Sequence, residues 1–212
     1  MDIKNRLFDA VIAGDAPLVE QITRQALEDD VNPEALVNES MIPAMDSVGE
    51  RFQAGEFFIP ELMIAARAMK AGMALIRPLL AARGARSAGR VVIGTVFGDQ
   101  HDIGKNLVAS MLEGGGFEVI DLGFDVAPQS FVQAVSEHRA DILGMSALLT
   151  TTMPAMRQII DEIEAADLRA MTKIMIGGAP ITQRFADEIG ADGYADNAGS
   201  AVSMARSLAA GL

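Results

Sequence analysis

The stretch Val91-Val92-Ile93-Gly94-Thr95-Val96-Phe97-Gly98-Asp99-Gln100-His101-Asp102-Ile103-Gly104-Lys105-Asn106 decides the fold. A short β-branched apolar run over 91–96 enters a polar, glycine-bearing loop, and a helix-length amphipathic segment follows, which reads as strand, loop and helix. Similar short apolar runs recur at 119–122, 142–145 and 174–176, each beside a helix-length segment. Continuous apolar runs, without strict alternation, belong to strands covered on both faces, which is the condition of a parallel sheet. The expectation is an α/β doubly wound, five-stranded parallel domain of Rossmann or flavodoxin-like type, with a last strand near 191–194 and a closing helix from about Ala198. Ligands in such sheets bind outside the carboxyl ends of the strands, so the loops after Val96, Leu122, Met145 and Ile176 are where chemistry is sought.

Upstream of this stretch the period is helical. Leu7, Val11 and Ile12 share a face up to Gly14, and Asp15-Ala16-Pro17 then offers an N-cap and a first-turn proline. Asn32-Pro33-Glu34 repeats that start. Val37, Met41, Met45, Val48 and Phe52 form one stripe; Leu62, Ala66, Met69, Met73, Ile76 and Leu80 form another, on a helix opening at Pro60-Glu61. The pattern predicts a four-helix bundle with short connections, in which Pro43 either kinks the third helix or delays its start. The segment 82–90, with Arg83, Arg86 and Arg90 among small residues, reads as a solvated linker. Two domains are expected, a helical bundle cap over 1–85 and an α/β domain over 86–212.

Composition excludes several classes. With 17 Lys and Arg against 29 Asp and Glu the formal charge is −12, and no cluster of bases offers a phosphate-binding face, so no nucleic acid is expected as partner. No apolar run reaches the ~18 residues of a membrane span, and the first residues carry no signal-peptide pattern, so no membrane partner is expected and the expected location is cytoplasmic. The chain has no Cys and only two His, His101 and His138, which removes disulfides, thiolate zinc sites and iron–sulfur clusters. His138 ends a helix and is given no role.

Each loop supports two readings. Gly94, Gly98 and Gly104 match neither a dinucleotide fingerprint nor a phosphate-binding loop. Asp99, two residues before His101, is placed to accept one imidazole N–H while the other ring nitrogen faces a ligand; the alternative is an ordinary surface histidine. Ser146, Thr150, Thr151 and Thr152 could cap the next helix, although four hydroxyls exceed what one cap uses. Gly177-Gly178 reads either as a tight turn or as backbone clearance for a bulky ligand.

Taken in order, Asp-x-His-x-x-Gly (Asp99, His101, Gly104), Ser-x-Leu (Ser146, Leu148) and Gly-Gly (Gly177, Gly178) resemble the cobalamin-binding domain shared by cobalamin-dependent methionine synthase and the corrinoid proteins of methyltransferase systems. The segments Pro43-Ala44-Met45 and Val48-Gly49-Glu50-Arg51-Phe52-Gln53-Ala54-Gly55-Glu56-Phe57-Phe58-Ile59-Pro60-Glu61-Leu62 are similar to the cap that covers the methyl-bearing face of the corrin there. The resemblance spans nearly the whole chain.

The resemblance implies a cobalamin or related corrinoid in the base-off, His-on state, with His101 as the axial ligand to cobalt, Asp99 on its other nitrogen, and Thr152 extending the relay in place of the serine of some relatives. The loop residues Gly98, Gln100, Asp102, Ile103 and Gly104 would touch the cofactor. Ser146, Leu148 and Thr150 would line a slot for the detached nucleotide tail, and Gly177 and Gly178 would admit it. Phe52 and Ile59 would lie over the upper cobalt face, with bundle core as the alternative reading of Ile59. Cobalt would alternate between Co(I) and methyl-Co(III). The implied partners are a substrate-specific methyltransferase, a second methyltransferase acting toward a thiol or tetrahydropterin, and a reductive activation protein. The chain would then be a non-autonomous methyl-transfer subunit. The other readings are a cobalamin-dependent regulator, a mutase-type subunit, and a cofactor-free signalling domain of flavodoxin-like shape.

Overall fold

The computed structural model describes residues 2–82 and 88–211. Arg83, Arg86 and most of the expected 82–90 linker lie outside the described residues. The chain divides into two compact units, one of Met1–Ser87 with Glu113–Gly116, the other of Ala88–Leu112 with Phe117–Leu212.

In the first unit, α1 (Ile3–Ile12) buries Leu7, Ala10 and Val11. The chain turns at Gly14, whose φ of +69° suits glycine. Helix α2 (Ala16–Glu28) starts where the Asp15 carboxylate accepts the Leu18 N–H at 3.1 Å, with Pro17 in its first turn, where a missing N–H costs nothing. Asn32 caps α3 (Pro33–Leu36) in the same way, accepting the Glu34 N–H at 3.0 Å. A π-helical turn, Val37–Met41, joins α3 to α4 (Ile42–Gln53). This is how Pro43 is accommodated: proline has no N–H and its ring crowds the carbonyl four residues back, and the wider turn just upstream takes up the misfit, so the helical path continues from α3 into α4. The stripe of Val37, Met41, Met45 and Val48 is buried, and Phe52 at its end is half-buried. Helix α5 (Ile59–Ala82) buries Leu62, Met69, Met73 and Ile76 and packs chiefly against α2.

The second unit alternates strand and helix: β1 (Arg90–Thr95), α6 (Ile103–Gly114), β2 (Glu118–Asp121), α7 (Pro128–His138), β3 (Ile142–Ser146), α8 (Pro154–Ala165), β4 (Lys173–Gly177), α9 (Gln183–Ile189), β5 (Gly193–Ala195) and α10 (Ala198–Ala209). All five strands are parallel, in the order β2-β1-β3-β4-β5. The order reverses between β1 and β3, which places the ligand crevice of such a sheet at the carboxyl ends of those two strands. Register there pairs Thr95 with Ser146, and the Val96 N–H continues the ladder to the Ser146 carbonyl at 3.0 Å. Val92, Leu143, Ile174 and Ile176 pack with Phe131, Ile159, Ile160 and Ile163 in one core. Gly94 belongs to that packing, because a Cβ there would meet the Phe131 ring at 2.8 Å. Among the described residues no helix is long and apolar enough to cross a membrane.

Candidate cofactor site

The site is built on the loop that leaves β1. Its centre is Asp99, a carboxylate with no solvent exposure. One oxygen, Oδ1, accepts the His101 Nδ1–H at 2.7 Å and the His101 backbone N–H at 3.1 Å. The other, Oδ2, accepts the Thr152 hydroxyl at 2.7 Å and the N–H groups of Leu148 and Leu149 at 2.7 and 3.2 Å. Burial alone pushes this carboxyl up, and it is the largest single influence. It is outweighed by the Leu148 N–H, the Thr152 hydroxyl and the two bonds from His101, which together hold Asp99 well below the usual carboxylate range. An ionised Asp99 can only accept, so Nδ1 carries a hydrogen and Nε2 is the ring nitrogen left for another partner. The His101 side chain is half exposed. Its carbonyl accepts the hydroxyl of buried Thr95, the last residue of β1, at 3.0 Å.

Among the described residues, no group of three or more His, Asp or Glu side chains could hold a bare metal ion. One carboxylate-oriented imidazole instead suits a metal that arrives with its equatorial ligands already in place. Two further observations fit a large, partly apolar group. Phe97, Ile103, Phe124, Leu148 and Leu149, on the loops and helix start at this edge of the sheet, remain exposed. At Gly104, in the first turn of α6, a Cβ would meet nothing within 4 Å, so no packing among the described residues calls for glycine there.

The remaining expected residues fall as follows. Gly98 sits at φ +80° in the turn before Asp99. Gln100 and Ile103 are exposed, and Asp102 accepts the Asn106 carboxamide N–H at 3.0 Å. Ser146 ends β3 half-buried, and Leu148 and Thr150 are exposed beyond it. The capping reading of the hydroxyls does not hold for α8: its N-cap is Met153, with no side-chain cap bond, and the single hydroxyl hydrogen of Thr152 is shared between Asp99 Oδ2 and the Leu149 carbonyl. Gly178 is required by the chain itself, since its φ is +129° and a Cβ would overlap the Ala147 carbonyl oxygen. At Gly177 a Cβ would approach the Ala195 carbonyl to 3.0 Å. In the helical unit Phe52 is half-buried, and Ile59 is 44% exposed and therefore not core. His138 ends α7, and its carbonyl accepts an Arg90 guanidinium N–H at 3.1 Å.

Sequence reasoning missed five contributors. Thr95 and the amides of Leu148 and Leu149 act through backbone groups or register, which residue types do not reveal. Buried Lys105 donates to both Asp121 carboxylate oxygens, at 2.5 and 2.6 Å, tying α6 to the end of β2. Asp125 holds Gly98. The signal for the last was its place in the loop after Leu122, one of the strand-end loops where ligands bind.

A parallel sheet with one oriented imidazole and an apolar rim at its switch point suits a binder of a ready-ligated metal macrocycle. The family comparisons agree. A family model described as a B12 binding domain matches residues 89–203, and a second of the same description matches residues 3–77. The chain belongs to the B12-binding corrinoid proteins. It is 40% identical over 211 residues to a corrinoid protein of Desulfitobacterium hafniense, covering 98% of both chains, and 42% identical over 204 residues to dimethylamine corrinoid protein 3 of Methanosarcina acetivorans, covering 96% and 95%. Among solved structures it is similar to the methanol:cobalamin methyltransferase complex of Methanosarcina barkeri, with a TM-score of 0.87 and 28% identity, covering 99% of this chain and 80% of that one. It is also similar to a cobalamin-binding protein of Desulfitobacterium hafniense DCB-2, with a TM-score of 0.80 and 32% identity over 98% of each.

Proposed function

We propose that this corrinoid protein is a methyl carrier that holds its corrinoid through His101 in the base-off, His-on state. The observation that carries the reading is the buried, ionised Asp99 joined to His101 Nδ1 and to the Thr152 hydroxyl. When bound, the corrinoid supplies a cobalt centre that takes a methyl group from one methyltransferase and yields it to another. The chain's own residues do the rest. His101 would hold the metal through Nε2, and Asp99, bonded to Nδ1 at 2.7 Å, would fix the ring for that role. Thr152 and the Leu148 and Leu149 amides keep the carboxylate ionised and still.

In this reading Gly98, Gln100, Asp102, Ile103 and Gly104 would contact the corrin, and Ser146, Leu148, Thr150, Gly177 and Gly178 would hold the nucleotide tail. Phe52 and Ile59 shield the reactive face from water. The cap of 1–85 and the binding domain of 86–212 are the two domains of this reading. A substrate-specific methyltransferase delivers the methyl group, a second one passes it to a thiol or tetrahydropterin, and a reductive activation protein rescues oxidised cofactor, all in the cytoplasm. The methyltransferase complex among the structural relatives supports the first of these partners.

Reconstitution with hydroxocobalamin tests the reading. The wild-type protein should retain the corrinoid through gel filtration with a spectrum altered from that of the free cofactor, and His101→Ala should lose the altered spectrum. Absence of binding, or an identical spectrum in His101→Ala, contradicts it.

A further inference from the structure

Four described non-glycine residues have φ in the left-handed region: Asp30, Asp125, Arg139 and Asp167. Asp30, Arg139 and Asp167 follow the ends of α2, α7 and α8, where left-handed residues ordinarily terminate helices. Asp125 follows β2 and ends no helix, so its φ of 53° needs another cause. The cause lies on the neighbouring loop. The Asp125 carboxylate Oδ1 accepts the Gly98 N–H at 2.8 Å, and the Asp125 backbone N–H donates to the Asp99 carbonyl at 3.0 Å. One residue thus grips two consecutive residues of the β1 loop, in opposite hydrogen-bonding directions. The next residue, Val126, donates its N–H to the Thr95 carbonyl at 3.1 Å, and forms a parallel bridge with Val96. The β2 loop therefore extends the β1–β2 pairing past the end of both strands, and the left-handed backbone at Asp125 turns its amide and its carboxylate toward the same partner.

We propose that Asp125 is a positioning residue for the axial imidazole: by clamping Gly98 and Asp99 it sets the turn from which the Asp99 carboxylate meets both His101 and Thr152. This rests on the reading of His101 as the cobalt ligand. Strained backbone held in place by its surroundings is a recurrent way of fixing a functional loop, and the ligand geometry of a metal site depends on such supports as well as on the ligand.

Three variants of the full chain separate the parts. Asp125→Asn keeps an oxygen acceptor and tolerates the left-handed backbone; Asp125→Gly keeps the backbone and loses the acceptor; Asp125→Ala loses both. In the cofactor-free protein, amide hydrogen exchange at Gly98 and His101 should be faster in the Gly and Ala variants by a factor of about 3–10, the scale of one partly exposed charge-assisted hydrogen bond, and close to wild type in Asp125→Asn. After loading with cobalamin and reduction to the Co(II) form, the fraction whose paramagnetic resonance shows a histidine nitrogen should fall in Gly and Ala and recover in Asn. Wild-type exchange in the Gly and Ala variants overturns the clamp. Faster exchange with undiminished histidine coordination overturns the positioning role. If wild type itself shows no histidine nitrogen, the ligand reading fails, and with it the positioning role, while the exchange data still decide the clamp.

Discussion

At the scale of single residues, the site is an exercise in keeping one carboxylate charged where water cannot reach it. Asp99 is fully buried yet ionised because five hydrogen bonds converge on it, three of them from backbone N–H groups that cannot move away. Thr152→Val, which keeps the shape and removes the hydroxyl, should cost about 1–2 kcal/mol of unfolding free energy in urea titrations, while Thr152→Ser should cost little of it. The pH dependence has a definite sign. The unfolded chain takes up the Asp99 proton near the ordinary value of 3.8, and the folded chain does so only at lower pH. The stabilisation is therefore complete above that range and is lost as pH falls through it toward the folded value. Asp99→Asn has no such proton to take up, so the stability gap between wild type and variant should narrow between pH 6 and about pH 3; a constant gap would show that Asp99 is not held ionised. The Asp99–His101 pair could be read from its spacing, whereas Thr152 could be singled out from its three neighbouring hydroxyls only through family resemblance. The loop that carries Asp125 was marked by its place after a strand, but the partners of Asp125 and Thr95 were not legible, because they depend on how β1 and β2 align beyond their ends.

At the scale of elements, the short β-branched runs and the Asp15-to-Pro17 and Asn32-to-Pro33 starts made strands and helices legible, since each is a local physical constraint. Pro43 was not decisive, because a kink, a late start and a π turn all relieve the same missing N–H, and the chain takes the π turn over Val37–Met41. The glycines divide in a way that residue type could not show. Gly178→Ala should destabilise the protein by about 2 kcal/mol or more through backbone strain and overlap with Ala147, seen in thermal unfolding without any cofactor. Gly104→Ala should do the opposite. Alanine is favoured over glycine in a helix by roughly 0.5–1 kcal/mol and the space is open, so the cofactor-free protein should be as stable as wild type or more so, while corrinoid affinity drops. Unchanged affinity would remove Gly104 from the contact surface.

At the scale of the whole molecule, the charge of −12 is spread over both halves, net −4 in residues 1–89 and −8 in residues 90–212. A carrier must meet more than one partner and leave each quickly, which favours long-range attraction over tight burial. The rate of methyl delivery from the partner methyltransferase at limiting protein concentration should fall as ionic strength rises from about 0.05 to 0.5 M, where screening shortens from above 10 Å to a few ångströms; a salt-independent rate would show that docking does not use this charge. The central claim, that a single protein imidazole completes the metal's ligands, is tested most directly by paramagnetic resonance of the Co(II) form in protein carrying 15N-labelled histidine. The account predicts that the nitrogen splitting changes from the triplet of natural-abundance nitrogen to the doublet of 15N, and that His101→Ala abolishes this response. A splitting indifferent to the label would mean that the cofactor's own base remains on cobalt and would contradict the account.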